Sequence, residues 1–429
     1  MRHGSLSPYP SSDVDRNLRL LGLGAGIRTL GAALYSPFLA LFLVNGLGLG
    51  YLEVGVIFVG VGAVQAPFSL AGGLLTDRVG RRRLIVLGLG AEAATTALLA
   101  YGFGLHSLAF SIIAATLGGI VTNSAGPASS AYVADFSEGS DRTRGFTWLR
   151  IGANAGYSAG TAMGGLLTAA YGFAPTVAVA AVIITAGALF FWAVLKPSPV
   201  DQAMSTGRPL DRARTSGAPV APGRPLRASL KLIARDRVAL ELLVAIGLAA
   251  LVLGQWAVTF PLFVHNVLGI PYSLLGLGLA LNGLVVVFGQ SLTTERVIGW
   301  RHTSIAALGI VLYVVAFLGL GAAGLFGVFP AGVFFGAVVV LTFGENLVTI
   351  PQTTLPSNLA PPGEVGSYNG AFNMVGGIGT LIAFLFGTAV LATTSNPVLI
   401  WSILALPAIA SIILLRDSAR RLAPDVDRA

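Results

Sequence analysis

What limits this chain most is a succession of apolar runs, each long enough to cross a lipid bilayer and separated mostly by a few residues. The first six cover 18–44, 52–75, 84–103, 108–133, 146–171 and 174–195. After a gap come six more, at 238–264, 274–292, 305–323, 326–355, 367–391 and 398–415. The first run is too long for a signal-peptide core and is expected to remain as a span. Of the 429 residues 55% are hydrophobic and only 10% charged, whereas a soluble domain carries about a quarter charged residues. No single soluble core hides that much apolar sequence. The expected fold is an all-α membrane protein of twelve transmembrane helices.

The stretches between the runs set the organisation. Residues 1–17 are polar and read as a flexible N-terminal tail, and 416–429 as a short charged C-terminal one. Between the two sets of six lies 196–237, rich in Pro, Ser, Gly and Arg, which reads as a linker. The expected plan is a six-helix bundle over 18–195, the linker, and a second bundle over 238–415. Within the linker, 226–235 alternates apolar and basic residues at helical spacing, predicting a short helix on the anionic inner leaflet. The formal net charge is +8. Its arginines are spread over short connections and the linker rather than gathered on one face, which argues against nucleic acid as a partner. The alternate connections, read as outer turns, hold no Lys or Arg, so both termini are placed in the cytoplasm. With no cysteine, disulfides, thiolate metal sites and cysteine nucleophiles are excluded.

The most specific stretch is Gly73-Leu74-Leu75-Thr76-Asp77-Arg78-Val79-Gly80-Arg81-Arg82-Arg83, a charged turn between the second and third runs. A connection this short makes the two helices antiparallel neighbours. A positive stop after a helix accounts for the arginines, but not for Asp77 beside Arg78 or for glycine at both Gly73 and Gly80. The spacing G-x-L-x-D-R-x-G-R-R resembles the signature turn of the major facilitator superfamily. An echo, Thr294-Glu295-Arg296-Val297-Ile298-Gly299-Trp300-Arg301, follows the eighth run, and Pro351 before Ser357-Asn358 echoes Pro127 before Ala134-Asp135. The resemblance implies two pseudo-symmetric six-helix bundles and a secondary transporter working by alternating access, with its substrate site near the midplane. It also implies a cytoplasmic gate of Gly73, Asp77, Arg78, Gly80, Arg81 and Asp135. Asp77 would face the amino end of the eleventh span. Arg81 or Arg78 would bridge to Asp135, tying the halves together.

The fifth run carries Gly156, Gly160, Gly164 and Gly165, small residues that let helices approach closely. This run resembles the antiporter motif G-x-x-x-G-P-x-x-G-G, with Thr161 where proline is expected. The nearest branch resembles the proton-coupled exporters of drugs and other amphipathic compounds. One departure counts against it: the fourth run has Ala115 before Gly118-Gly119 and no arginine. Rival readings are a transporter of a sugar, organic anion or other metabolite, and a non-transporting sensor, for which no soluble output module is seen.

Charges inside spans are costly and mark candidate sites. Arg28 lies about ten residues into the first run, roughly 15 Å deep at 1.5 Å per residue, and Glu345 sits with Asn346 before Pro351. By resemblance both line the cavity, Glu345 as a protonatable carboxylate and Arg28 as an anion or counter-charge site. The alternative is a static pair tying two helices. Tyr35, Asn123, Gln255 and Trp256 join the cavity set, with Asn282 and Asn373 of the same class. Each Asn or Gln has an alternative role, satisfying a backbone carbonyl at a kink. Glu92 is expected to be structural, held by Arg150 or a hydroxyl, with Arg150 near the inner gate. Gly22-Leu23-Gly24-Ala25-Gly26 follows no strand and reads as packing glycine rather than a nucleotide loop. His3, His106, His265 and His302 form no metal spacing, and no enzyme constellation is present. The expectation is a monomer in the plasma membrane whose partners are a small-molecule substrate and the bilayer. It needs no cofactor and is driven by a proton gradient.

Overall fold

The computed structural model describes residues 11–137, 139–206, 233–361 and 363–428. Among them the elements are helices joined by short turns, without a sheet. Ten helical stretches are long and apolar enough to cross a membrane. The remaining two spans differ for visible reasons. The second is broken by Pro67 into Tyr51–Gln65 and Phe68–Val79, because proline brings no N–H and clashes with the preceding turn. The fifth, Gly139–Tyr171, is diluted by glycine, alanine and polar residues. With these the spans number twelve among the described residues, and the chain is an all-α, multi-pass membrane protein.

Several boundaries differ from expectation. The first helix already includes Ser11, the first described residue, with Val14 and Leu18 buried in the core, so part of the stretch expected as tail is helical. It runs to Ala33 and then gives way to tighter and wider turns around Pro37 as far as Gly46. The seventh span is likewise interrupted, Arg237–Leu253 and Thr259–Asn266 being separated by the 3-10 turn Gly254–Trp256. The start of the expected linker is ordered as a helix, Pro199–Thr206. The helix expected over 226–235 lies outside the described residues except for its last turn.

By contacts the chain forms two compact units, Met1–Leu47 with Gly60–Pro219, and Gly48–Val59 with Val220–Ala429. In the first unit the closest packing joins the first span (Ser11–Ala33) to the fifth. A Cβ placed at Gly152, Gly156, Gly160 or Gly164 would collide with the carbonyls of Gly22, Gly26, Leu30 and Leu34 in turn. The backbones therefore touch over about three turns. Between lipid-immersed helices such contact replaces the hydrophobic drive available in water. The glycines of 22–26 are packing residues. In the second unit, Gly309 of the ninth span (His302–Phe326) and Gly344 of the tenth (Pro330–Leu359) meet in the same way. There the ring of Trp401 sits between Phe263 and Phe317, at centroid distances of 5.1 and 4.3 Å.

The two units also repeat a device that the sequence hides. In the first, the chain leaving the sixth span (Phe173–Val194) brings Asp201 back to the start of the third (Arg81–Gly104). Its Oδ1 accepts the Arg81 N–H at 2.6 Å, and its Oδ2 accepts the N–H groups of Arg82 at 3.1 Å and Ser198 at 2.8 Å. In the second, the residues after the twelfth span (Pro397–Arg421) fold back to the start of the ninth. There the wholly buried Asp427 accepts the Thr303 N–H at 2.9 Å and hydroxyl at 2.8 Å, and its carbonyl accepts the His302 N–H at 2.7 Å. Carboxylates here satisfy helix-end donors and complement the helix dipole. Arg301, the counterpart of Arg81 in the sequence echo, donates from Nε to Asp427 Oδ2 at 2.7 Å. Gly80 (φ 94°) and Gly299 (φ 82°) both take a positive φ that favours glycine. The segment expected as a short charged tail is thus docked through Asp427.

Asp427→Ala removes this cap and strips Arg301 of its partner. The expected loss is about 1–2 kcal/mol, read as a lower melting temperature of the purified protein. Unchanged melting would show that the docked segment adds nothing.

Candidate functional site

In the first unit the intramembrane charges find each other. Arg28 Nε donates to Glu92 Oε2 at 2.7 Å, with Glu92 only 5% exposed. Glu92 is therefore held by Arg28, not by Arg150. Arg150 is exposed, and its carbonyl accepts the Asn154 amide at 3.0 Å. The hydroxyls of Thr95 and Thr96 donate back to the Glu92 carbonyl, and Tyr35 lies beside Thr96 and the pair. The Arg28 side chain remains one-third exposed.

Asn123 closes a break in the second span. With the helix interrupted at Pro67, the Ser69 N–H turns to the Ala66 carbonyl, and Asn123 Nδ2 supplies the Gln65 carbonyl at 3.2 Å. Gln65 in turn donates to the Ala115 carbonyl at 3.0 Å. Sequence reasoning passed over Gln65. A lone amide two residues before a proline in an apolar run was the available signal.

The signature turn is organised around Arg81. Its Nε donates to Asp135 Oδ2 at 2.8 Å, one Nη lies 3.1 Å from Asp77 Oδ1, and the other donates to the Thr76 carbonyl at 3.1 Å. The bridge to Asp135 is made by Arg81 rather than Arg78. Both its partners belong to the first unit, so this contact does not by itself tie the two halves, as had been expected. Asp77 is exposed, and a Cβ at Gly73 would meet open space. Asp201, missed in the sequence as part of the linker, completes the cluster: Ser198 Oγ donates to Asp135 Oδ2 at 3.2 Å.

In the second unit the Asn282 amide donates to Glu345 Oε2 at 3.0 Å and to Thr342 Oγ1 at 2.9 Å. Asn346 points elsewhere, against Gly289, with its Nδ2 buried and lacking an acceptor. Gln255 takes its alternative role. It is wholly buried, donates to the carbonyls of Leu251 (2.7 Å) and Ala383 (3.2 Å), and accepts the Thr259 hydroxyl at 2.6 Å. These bonds hold the interrupted seventh span to the eleventh (Val365–Thr393) and remove Gln255 from the cavity wall.

Trp256, its neighbour, does line a cavity of about 420 Å³, together with Phe372, Gln352, Asn373 and Thr380. Gly376 and Gly377 leave the wall open, and no charged residue lines it. Neither Glu345 nor Asn346 is among its lining residues. A volume of this order suits a drug-sized molecule. His265 closes the turn that follows the seventh span, Nδ1 2.7 Å from the Ile270 carbonyl and its ring stacked on Tyr272. Among the described residues no group of three or more His, Asp or Glu is placed to hold a metal ion.

The sequence profile of the Major Facilitator Superfamily matches residues 21–384. The chain is 27% identical to the uncharacterized MFS-type transporter YttB of Bacillus subtilis (strain 168), over 96% of this chain and 98% of that one. It is 26% identical to a Na(+), Li(+), K(+)/H(+) antiporter of Planococcus maritimus, over 86% and 88%. With the multidrug resistance protein MdtH of Cronobacter sakazakii (strain ATCC BAA-894) it shares 24%, over 92% of each. Among solved structures, PepTSo2 superposes with a TM-score of 0.73 at 18% identity, covering 95% of this chain and 98% of that one. A bacterial homolog of the human lysosomal transporter Spinster gives 0.68 at 13%, over 96% of each.

Removing one member of the Arg28–Glu92 pair leaves the other charge inside a span. Glu92→Leu is expected to cost about 1–3 kcal/mol, below the full penalty for a buried pair because Arg28 is partly exposed. The double variant Arg28→Met/Glu92→Leu is expected to recover most of that loss in thermal melting. If Glu92→Leu melts like the parent, the pair carries no structural load.

Proposed function

The chain belongs to the Major Facilitator Superfamily, and on that premise we propose that it is a proton-coupled secondary transporter exporting small, uncharged or amphipathic compounds, drugs among them. The observation that carries this reading is the second unit's cavity. Its walls are aliphatic side chains and glycine with the rings of Trp256 and Phe372, the amides of Gln352 and Asn373 and the Thr380 hydroxyl, with no charge, suited to an apolar ligand held by packing and a few hydrogen bonds. Of its relatives, the cation/proton antiporter supports the proton coupling and the multidrug resistance protein supports the substrate class. An organic-anion carrier has less support, because the cation proposed for its anion already pairs with Glu92.

In this proposal Glu345 is the proton carrier. Its carboxyl lies in a span, where ionisation is costly, and the Asn282 amide steadies the ionised form by donating to Oε2. Protonation removes that charge and shifts the balance between two states of the protein, which the substrate biases only through its differential affinity for them. Asp77 acts as a gate residue at the signature turn. The protein works as a monomer in the plasma membrane with both termini in the cytoplasm, drawing on the proton gradient and no bound cofactor.

Proteoliposomes with an acid interior test the coupling. Substrate uptake by the parent is expected to rise with the gradient, and uptake by Glu345→Gln to ignore it. Unchanged pH dependence in the variant would remove Glu345 as carrier. Asp77→Asn is expected to lower transport about tenfold, a barrier change of ~1.4 kcal/mol, while substrate binding stays near parental. Equal losses of both would contradict a gating role.

A further inference from the structure

The cavity of about 250 Å³ beside the signature turn has no part in the transport cycle proposed above. It is lined by Arg78, Arg82, Arg83, Gly80, Asp201 and Met204, among others. Three arginines thus share the lining with one carboxylate, and that carboxylate is already engaged by the N–H groups of Arg81, Arg82 and Ser198. Arg82 is locked in place, its Nε donating to the Leu195 carbonyl at 2.6 Å and its Nη2 to the Trp192 carbonyl at 2.7 Å. Those acceptors are end carbonyls of the sixth span, which its own helix leaves without donors. Arg78 and Arg83 differ: both are exposed and have no ion-pair or hydrogen-bond partner among the described residues. Each presents up to five N–H donors in a planar fork, a shape that matches phosphate oxygens.

We propose that this pocket binds the phosphate of an acidic phospholipid headgroup. A free phosphate offers the pocket the same oxygens, but the flanks of the pocket favour a lipid. Leu87, one helical turn beyond Arg83, is 64% exposed, and Trp192, whose carbonyl holds Arg82, is 63% exposed. Leu189, one turn back along the sixth span, is exposed as well. In a multi-pass membrane protein such surfaces face acyl chains, and tryptophan marks the level of the headgroups. An anchored anion seated here would have its phosphate among the arginines and its chains along Leu87, Leu189 and Trp192. It would relieve the mutual repulsion of three cations at the junction of the third span, the sixth span and Pro199–Thr206. The lipid then acts as a structural ligand of the first unit. The proposal is independent of Glu345 and of the direction of transport.

The test uses the full chain in nanodiscs of phosphatidylcholine with increasing phosphatidylglycerol. Thermal melting and native mass spectrometry of retained lipid are the two readouts. The parent is expected to melt higher as phosphatidylglycerol rises and to saturate. Arg78→Gln/Arg83→Gln should lose most of that rise and retain about thirtyfold less phosphatidylglycerol, since each of the two arginines near the surface contributes about 1 kcal/mol to anionic-lipid attraction. Arg78→Lys/Arg83→Lys, which keeps both charges, should retain most of it, and phosphatidylcholine should not distinguish the three proteins. An equal phosphatidylglycerol response in the glutamine variant would overturn the proposal. Stabilisation of the detergent-purified parent by inorganic phosphate to the same extent would make this a site for a free anion and overturn the lipid assignment.

Discussion

A helix begins with four N–H groups that its own backbone cannot satisfy, and close to lipid there is little water to do so. The described structure depends on how those groups are closed. The seventh span does it locally, Asp236 accepting from Val238 and Ala239 at 3.0 Å each. The third and ninth import their carboxylates from far along the chain, Asp201 and Asp427. Each imported carboxylate is laid down after the last span of its own unit, so closing the helix end also fastens the last span to the third. Arg81 and Arg301 sit where these fastenings converge, which explains why the worn sequence echo keeps an arginine at that position.

This arrangement also separates what was legible in the sequence from what was not. Span positions were legible because membrane thickness imposes a length, and a length shows in one dimension. The breaks at Pro37, Pro67 and Gly254 were not placed, since whether a proline or glycine interrupts a span depends on which neighbour rescues the freed backbone. Asn123 and Gln255 are such rescuers, a role allowed for in the sequence but not assigned. Asp201 looked like linker because the residues around it are Pro, Ser and Val. Its meaning comes from a helix end 120 positions earlier. Arg28 and Glu92 were both marked by their cost in lipid, yet 64 residues separate them and nothing local says that they pair.

The two units carry different chemistry. The first concentrates charge: the Arg28–Glu92 pair within its spans, and the arginine-rich turn with Asp135 and Asp201 at its end. The second holds an uncharged cavity, with its intramembrane carboxyl set among amide and hydroxyl groups away from the cavity wall.

The contact between the first and fifth spans has a mechanical consequence. From Gly152 to Gly164 the two backbones lie in direct contact over about 18 Å, at 1.5 Å per residue. Carbonyls of one helix rest where the other has only hydrogen for a side chain. Sliding by part of a turn would drive those oxygens into neighbouring residues that do have side chains. The two helices are therefore bound to travel as one rod, and Arg28, fixed to that rod, keeps its register against the fifth span however the rest of the molecule rearranges.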